Sequence, residues 1–272
     1  MPPTYHATLS AFTHFLIAYT HTLLYLRTLY PRTSFARSRF HNTPVYQSRH
    51  PLVCDWIRDA IAAVREELLE GTVARIGIVI YSYGAEGAGN GKGTGSVKIM
   101  ERYMIDVSRF PVVGKGERNI EIEWDEPEEE AAGNGKGKQK ALEAHVDVNL
   151  SEQFRAALLT LTSRTSQLAP LPPHCSFSIS MELKDEGDAD PPIRHPQPWI
   201  PVQPSLQKTG RKVVQVDNED ERAEGEDLGG AKVTPIRTVE AGVLRFETWI
   251  EEGKAKFEMA ERAKSSVASS GG

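Results

Sequence analysis

The run from Val73 to Tyr83 limits the fold most. It concentrates β-branched and aromatic residues (Val73, Ile76, Ile78, Val79, Ile80 and Tyr81) and reads as a buried strand. Val97 to Val107 supplies a second strand that pairs with it as an antiparallel hairpin. The connection, 84–96, is Gly, Ala and small polar residues that can bury nothing, so a mobile loop is expected there. Cys175 to Leu183 alternates with the period of a strand: Cys175, Phe177, Ile179 and Met181 on one face, Ser176, Ser178 and Ser180 on the other. A last apolar strand contains Val243, Leu244, Phe246, Trp249 and Ile250.

Three segments have helical spacing. Leu9, Phe12, Leu16, Tyr19, Leu23 and Leu26 recur every three or four residues, and Pro31 ends that pattern. Pro51 stands where a second helix begins, with Trp56, Ile57, Ala60, Ile61, Val64 and Leu68 on one face and Gly71 at its close. Residues 150–168 form a third, with Leu150, Phe154, Ala157, Leu158, Leu161 and Leu168 inward. Between the first two lies a basic stretch, with Arg32, Arg37, Arg39 and Arg49. Pro44 argues against a central strand there and favours a short hairpin or ordered loop. The architecture that follows is α+β: three core helices packed on a mostly antiparallel sheet. Residues 1–252 are expected to form one domain with flexible inserts near 84–96, 114–145 and 203–230, and 253–272 a flexible tail. The word Gly-Asn-Gly-Lys-Gly occurs at 89–93 and 133–137, but nothing patterned surrounds either copy, so it is not a structural repeat.

Charge and motifs exclude more than they assign. The 272-residue chain has a formal net charge of -5, which argues against direct nucleic-acid binding as its main role. The basic stretch with Tyr30, Phe35 and Phe40 interleaved is the one segment that could touch nucleic acid. No apolar run reaches the length of a membrane span. Phe12 to Tyr30 carries His14, His21 and Arg27 and lacks a basic start and a small-residue cleavage site, so it is not read as a signal peptide. Two cysteines, Cys54 and Cys175, cannot build a disulfide scaffold and fit a reducing compartment. Gly91-Lys92 follows a strand, but position 86 is Glu and Gly93 stands where a phosphate loop needs Ser or Thr. The eight histidines show no H-x-x-x-H pair with a carboxylate between, and there is no C-x-x-C and no G-x-S-x-G. No cofactor, metal or catalytic activity is expected.

Ordered residue strings carry a resemblance. They are Leu24-Tyr25-Leu26-Arg27-Thr28-Leu29-Tyr30-Pro31, then Phe35, Asn42-Thr43-Pro44-Val45 and His50-Pro51. Further on come Pro172-Pro173-His174-Cys175-Ser176-Phe177, Pro198-Trp199-Ile200, Pro235-Ile236-Arg237-Thr238 and Trp249-Ile250-Glu251-Glu252. Together they resemble the HORMA-domain family, in the branch of accessory subunits of translesion DNA polymerase zeta. The resemblance implies an adaptor without catalysis, three helices behind an antiparallel sheet, and a C-terminal "safety belt" that wraps a partner peptide and pairs back onto the sheet. Its implied partners are a proline-containing peptide of the polymerase zeta catalytic subunit, the C-terminal domain of a Y-family scaffold polymerase, a HORMA-remodelling AAA+ ATPase and a second copy of the chain. The implied location is the nucleus and the role translesion synthesis. The alternative is a spindle-checkpoint HORMA adaptor with a different peptide.

The resemblance also implies roles by position. Trp56, where a relative has Tyr, and Trp199 line the peptide channel; the competing reading makes both simple core tryptophans. Arg155 matches a self-association residue, against a plain exposed helix arginine. Val233, Glu247 and Trp249 match the scaffold-polymerase face, with Glu in place of an amide and Trp in place of Tyr. The acidic stretch 217–227, seven carboxylates against one arginine, falls inside the belt and is expected to bulge as a disordered loop.

Overall fold

The structure, a computed structural model, describes residues 4–83, 97–122, 135–184, 199, 230–241 and 243–269, with the side chains of 135–149, 230–231, 241 and 262–269 left aside. The inserts expected at 84–96 and 203–230 lie outside these residues, apart from Gly230, and so does the acidic stretch 217–227.

Helix α1, Tyr5–Leu26, starts where the Thr4 hydroxyl accepts the Ala7 N–H at 3.2 Å. The expected stripe is buried except for half-buried Leu26, and so are Phe15, Thr20, His21, Thr22 and Leu24 on its other sides. A helix enclosed in this way is a core element rather than a one-faced surface helix. The Thr20 hydroxyl turns back to the Leu16 carbonyl at 2.8 Å, which lets a polar side chain sit inside. Strands β1, Phe35–Phe40, and β2, Thr43–Ser48, form a separate antiparallel ribbon. His41 and Asn42 turn it with φ of 44° and 59°, the two left-handed residues that a tight two-residue hairpin requires. The ribbon docks on α1 through Val45 and Phe35, and the Ser48 N–H donates to His21 Nδ1 at 3.4 Å.

Helix α2, Pro51–Glu70, buries Ile57, Ile61, Val64 and Leu68. Gly71 ends it at φ 76°, where a Cβ would also come within 2.6 Å of Val112. Strands β3, Val73–Tyr83, and β4, Val97–Asp106, make the expected hairpin. With β5, Cys175–Leu183, β6, Gly230–Ala241, and β7, Leu244–Gly253, they form one antiparallel sheet in the order β5-β3-β4-β7-β6. The aromatic core between sheet and helices centres on Phe12, Phe15, Phe154 and Phe246, with Phe15 stacked on Phe154 at 4.6 Å.

Four segments differ from expectation. Helix α3, Gly135–Thr165, starts well before residue 150 and takes up part of the insert expected at 114–145. The low-complexity composition of this stretch favours a flexible insert, but Lys138 to Ala144 is mostly good helix former. Residues 114–122 of the same stretch are tied down by buried Arg118, which donates to the Leu69 carbonyl at 2.5 Å and the Val113 carbonyl at 3.1 Å. Strand β6 has no clean alternation because Pro235 interrupts it and the register shifts between Pro235 and Arg237; an edge strand accommodates both. The expected tail opens as helix α4, Lys254–Ser269.

A buried charge cluster seats α4. Glu101 of β4 is fully buried and accepts from Arg27 Nε at 2.9 Å, Arg27 Nη2 at 2.7 Å, the Tyr103 hydroxyl at 2.8 Å and Lys256 Nζ at 2.5 Å. Lys256 also donates to Glu252 at 2.6 Å, and Arg27 Nη2 to the Ala169 carbonyl at 2.7 Å. Burial, and then the Glu101 charge, push the Tyr103 phenol well up, so it stays a donor. Two buried cations face two buried carboxylates, and the exposed Lys232 approaches Glu252 from outside at 4.0 Å. Glu101→Gln leaves both cations short of their shared counter-charge and should lower stability by about 3–5 kcal/mol in urea denaturation. Lys256→Met, which keeps the Arg27–Glu101 pair, should cost clearly less; equal losses would mean that Glu101 is not the hub.

His21 gives a second expectation. Burial lowers its pKa from 6.5 to about 4. Between those values the unfolded chain takes up a proton that the folded chain refuses. Stability should therefore fall as pH drops through that window, by about 2 kcal/mol from pH 7 to pH 5. His21→Gln should flatten this part of the profile, and an unchanged profile would place its source elsewhere.

Candidate functional site

Strand β5 is an edge of the sheet: among the described residues it pairs only with β3. An edge strand presents one row of backbone donors and acceptors outward, ready for an extended peptide. Its inner face is built by Phe177 and Ile179, which are buried against the core. Trp56 on α2 packs edge-on against Phe177, with ring centroids 5.1 Å apart and planes at 84°. Leu52, one helical turn before Trp56, is 73% exposed. The β5 edge therefore has an apolar wall on its helix side, with Trp56 half-buried in it. On the opposite face Ser180 donates to the Gly77 carbonyl at 3.3 Å.

Cys175, the first residue of this edge, donates its thiol to the Pro172 carbonyl at 3.2 Å. Burial, and then the Glu101 charge, push its pKa up, the opposite of an activated nucleophile. Among the described residues no three His, Cys, Asp or Glu side chains gather as a metal site. No described helix is long and apolar enough to cross a membrane.

The other expected residues take separate places. Trp199 is half-buried and packs against the hydrophobic core. Arg155 is exposed on α3, bonded to Glu152 one turn back at 3.2 Å, with Leu159, 51% exposed, one turn on. Val233, Glu247 and Trp249 share the outward face of the β6–β7 hairpin. Val233 is the cross-strand partner of Glu251, and Trp249 Nε1 donates to the Glu251 carboxylate at 2.8 Å. Glu247 lines a cavity of about 120 Å³ with Asp106, Ser108, Arg109 and Arg245. The three residues thus form one surface, on a strand pair distant in sheet order from β5.

This arrangement, helices on one face of a five-stranded antiparallel sheet with the C-terminal hairpin paired onto β4, matches a known family. The model of the HORMA domain covers residues 9–224. The chain belongs to the HORMA-domain family. Among curated proteins, this HORMA chain is 25% identical to the DNA polymerase zeta processivity subunit of Schizosaccharomyces pombe, over 89% of the chain and 91% of the relative. It is 20% identical to the human mitotic spindle assembly checkpoint protein MAD2B, over 88% and 87%. Among solved structures, a chain of the mitotic checkpoint complex superposes with a TM-score of 0.55 at 14% identity, covering 90% of this chain and 97% of that one. HTP-2 of C. elegans bound to the HIM-3 closure motif gives 0.53 at 10% identity, covering 93% and 92%. At these identities the structures establish the fold alone.

Two features of the site escaped the sequence. In the string Phe177 is one apolar position of a strand, and nothing local announces that it meets Trp56. The Arg27–Glu101–Lys256 cluster joins residues from the two ends and the middle of the chain. Glu101 gave no sign of it, since Lys98, Arg102 and Asp106 share its strand and the string does not tell a buried charge from a solvated one.

Proposed function

We propose that this HORMA protein is a non-catalytic adaptor that captures an extended partner peptide along the outer edge of β5. The observation that carries the reading is topological. Residues 185–229 connect Leu183–Lys184 at the β5 edge to Gly230 at the start of β6, the opposite edge, and the chain then pairs back through β7 onto β4. Crossing a five-stranded sheet means covering about 19 Å at the usual strand spacing, a distance this connection can span many times over. Such a connection can close over a guest at β5. Backbone pairing would supply affinity, and the wall at Trp56 and Phe177 would choose side chains.

The guest that best fits is a proline-containing peptide of the polymerase zeta catalytic subunit, since the S. pombe relative bears the polymerase zeta name over nearly its whole length. A flat tryptophan beside an exposed apolar residue suits a proline ring. The outward face carrying Val233, Glu247 and Trp249 would bind the C-terminal domain of a Y-family scaffold polymerase. Arg155 with Leu159 would serve self-association, a remodelling AAA+ ATPase would release the guest, and the work would take place in the nucleus in translesion synthesis. The second reading, a spindle-checkpoint adaptor, is supported by the checkpoint names of the MAD2B relatives.

Co-purification from extract with mass spectrometry separates the two: polymerase subunits support the first, and checkpoint partners alone would overturn it. Trp199→Ala should weaken capture of the recovered peptide by roughly 2–4 kcal/mol if it anchors the guest, and Trp56→Ala should act in the same direction. An unchanged affinity in a folded variant removes that residue from the channel. Arg155→Glu should convert a self-associated species to monomer in light scattering; a wild type already monomeric at high concentration ends that assignment.

A further inference from the structure

The net charge of -5 hides a separation. Residues 1–54 contain five arginines and not one Asp, Glu or Lys. One of them, Arg27, is buried in the Glu101 cluster. The other four, Arg32, Arg37, Arg39 and Arg49, are exposed on or beside the β1–β2 ribbon. Among the described residues none of these four has a carboxylate within ion-pairing distance, whereas the exposed Arg58 and Arg155 both do. Arg37 and Arg39 lie two residues apart on β1 and project from the same side of the ribbon, with Tyr46 and Pro44 as their cross-strand partners. Arg32 joins them by lying over the Tyr25 ring at 5.2 Å.

From this we infer that the Arg32–Arg37–Arg39 face of the ribbon binds the phosphate backbone of duplex nucleic acid. Guanidinium groups free of internal carboxylates keep their planar forks for phosphate oxygens. The aromatic side chains decide between phosphates and unstacked bases. Tyr25 is stacked on Tyr46 at 3.5 Å and covered by Arg32 on its ring, Phe35 is buried, and Phe40 packs on His41. The rings that interleave with the arginines are thus engaged within the protein, which leaves a charge surface without a base-stacking platform. Phe35, on the same side of the ribbon as the arginines, is buried, and so is Val45 on the other side; exposed Pro44 beside Arg39 is a small apolar surface for an acidic peptide to anchor on. The site is separate from the β5 edge and lets a protein clamp stay near DNA while its guest is held elsewhere.

The experiment is fluorescence anisotropy of the full chain with a fluorescein-labelled 20-base-pair duplex. Three phosphate contacts predict a logarithmic salt slope near -2.7, so affinity should fall about 40-fold between 50 and 200 mM NaCl. Arg37→Glu/Arg39→Glu should weaken binding at 50 mM at least about tenfold, with an unchanged urea midpoint and unchanged peptide capture. Should the charge reversal impair folding, Arg37→Gln/Arg39→Gln gives the same reading. The inference is overturned by duplex binding that is absent at 50 mM, that is unaltered in the double variant, or that is weaker than binding of a labelled Glu-rich 12-residue peptide. Each of these results leaves the peptide-capture proposal standing or falling on its own test.

Discussion

A single buried carboxylate organises this molecule. Glu101 sits in β4, the central strand, with no exposed surface. Moving a carboxylate out of water costs several kcal/mol even after relaxation. Two cations and a phenol offset that cost here, and the geometry they require fixes three separate parts of the chain. Arg27 terminates α1 and reaches the carbonyls of Thr165 and Ala169 at the end of α3. Lys256 starts α4 and bridges back to Glu252 at the end of β7. An apolar cluster of equal volume could hold as well; here the fork of Arg27 and the reach of Lys256 tie the ends of α1 and α3 and the first turn of α4 to β4.

What this anchors is the return of the C-terminal segment. β7 must lie beside β4 in the observed register for Lys256, four residues after Glu252, to reach Glu101, and β6 follows β7 as its hairpin partner. Gly253 makes the passage from β7 into α4 possible: a Cβ there would stand 2.2 Å from the Ile99 carbonyl oxygen. The C-terminal return and the charge cluster are therefore one construction. The pairing that brings the chain back onto the sheet is also the pairing that buries the ion pairs.

Period and punctuation made most of the fold legible. β3, β4 and β5 were readable because β-branched runs and strict alternation are local signals, and α2 because Pro51 and Gly71 bracket its apolar face. The beginning of α3 is hidden because low-complexity composition around it masks the helix formers from Lys138 to Ala144. β6 was lost because Pro235 and a bulge broke its alternation. α4 was lost because its anchor, Lys256, looks like a solvated charge until Glu101 is brought beneath it across a long stretch of sequence. The site divided the same way. Trp56 and Trp199 stood out through a family resemblance, whereas the packing of Trp56 on Phe177 is a tertiary fact without a local trace. Net charge argues against direct nucleic-acid contact, and the same sum hides that the first 54 residues hold no carboxylate.

The two borders of the sheet are unlike. β5 runs from Cys175 to Leu183 without a proline and with regular register along most of its length, while β6 carries Pro235 and two register shifts. A visiting strand that pairs smoothly at the first would meet a missing donor and a kink at the second. Growth by strand addition is thus receptive at one border and blunted at the other. Pairing between copies of this protein therefore stops at a single contact instead of running on into an open-ended ribbon.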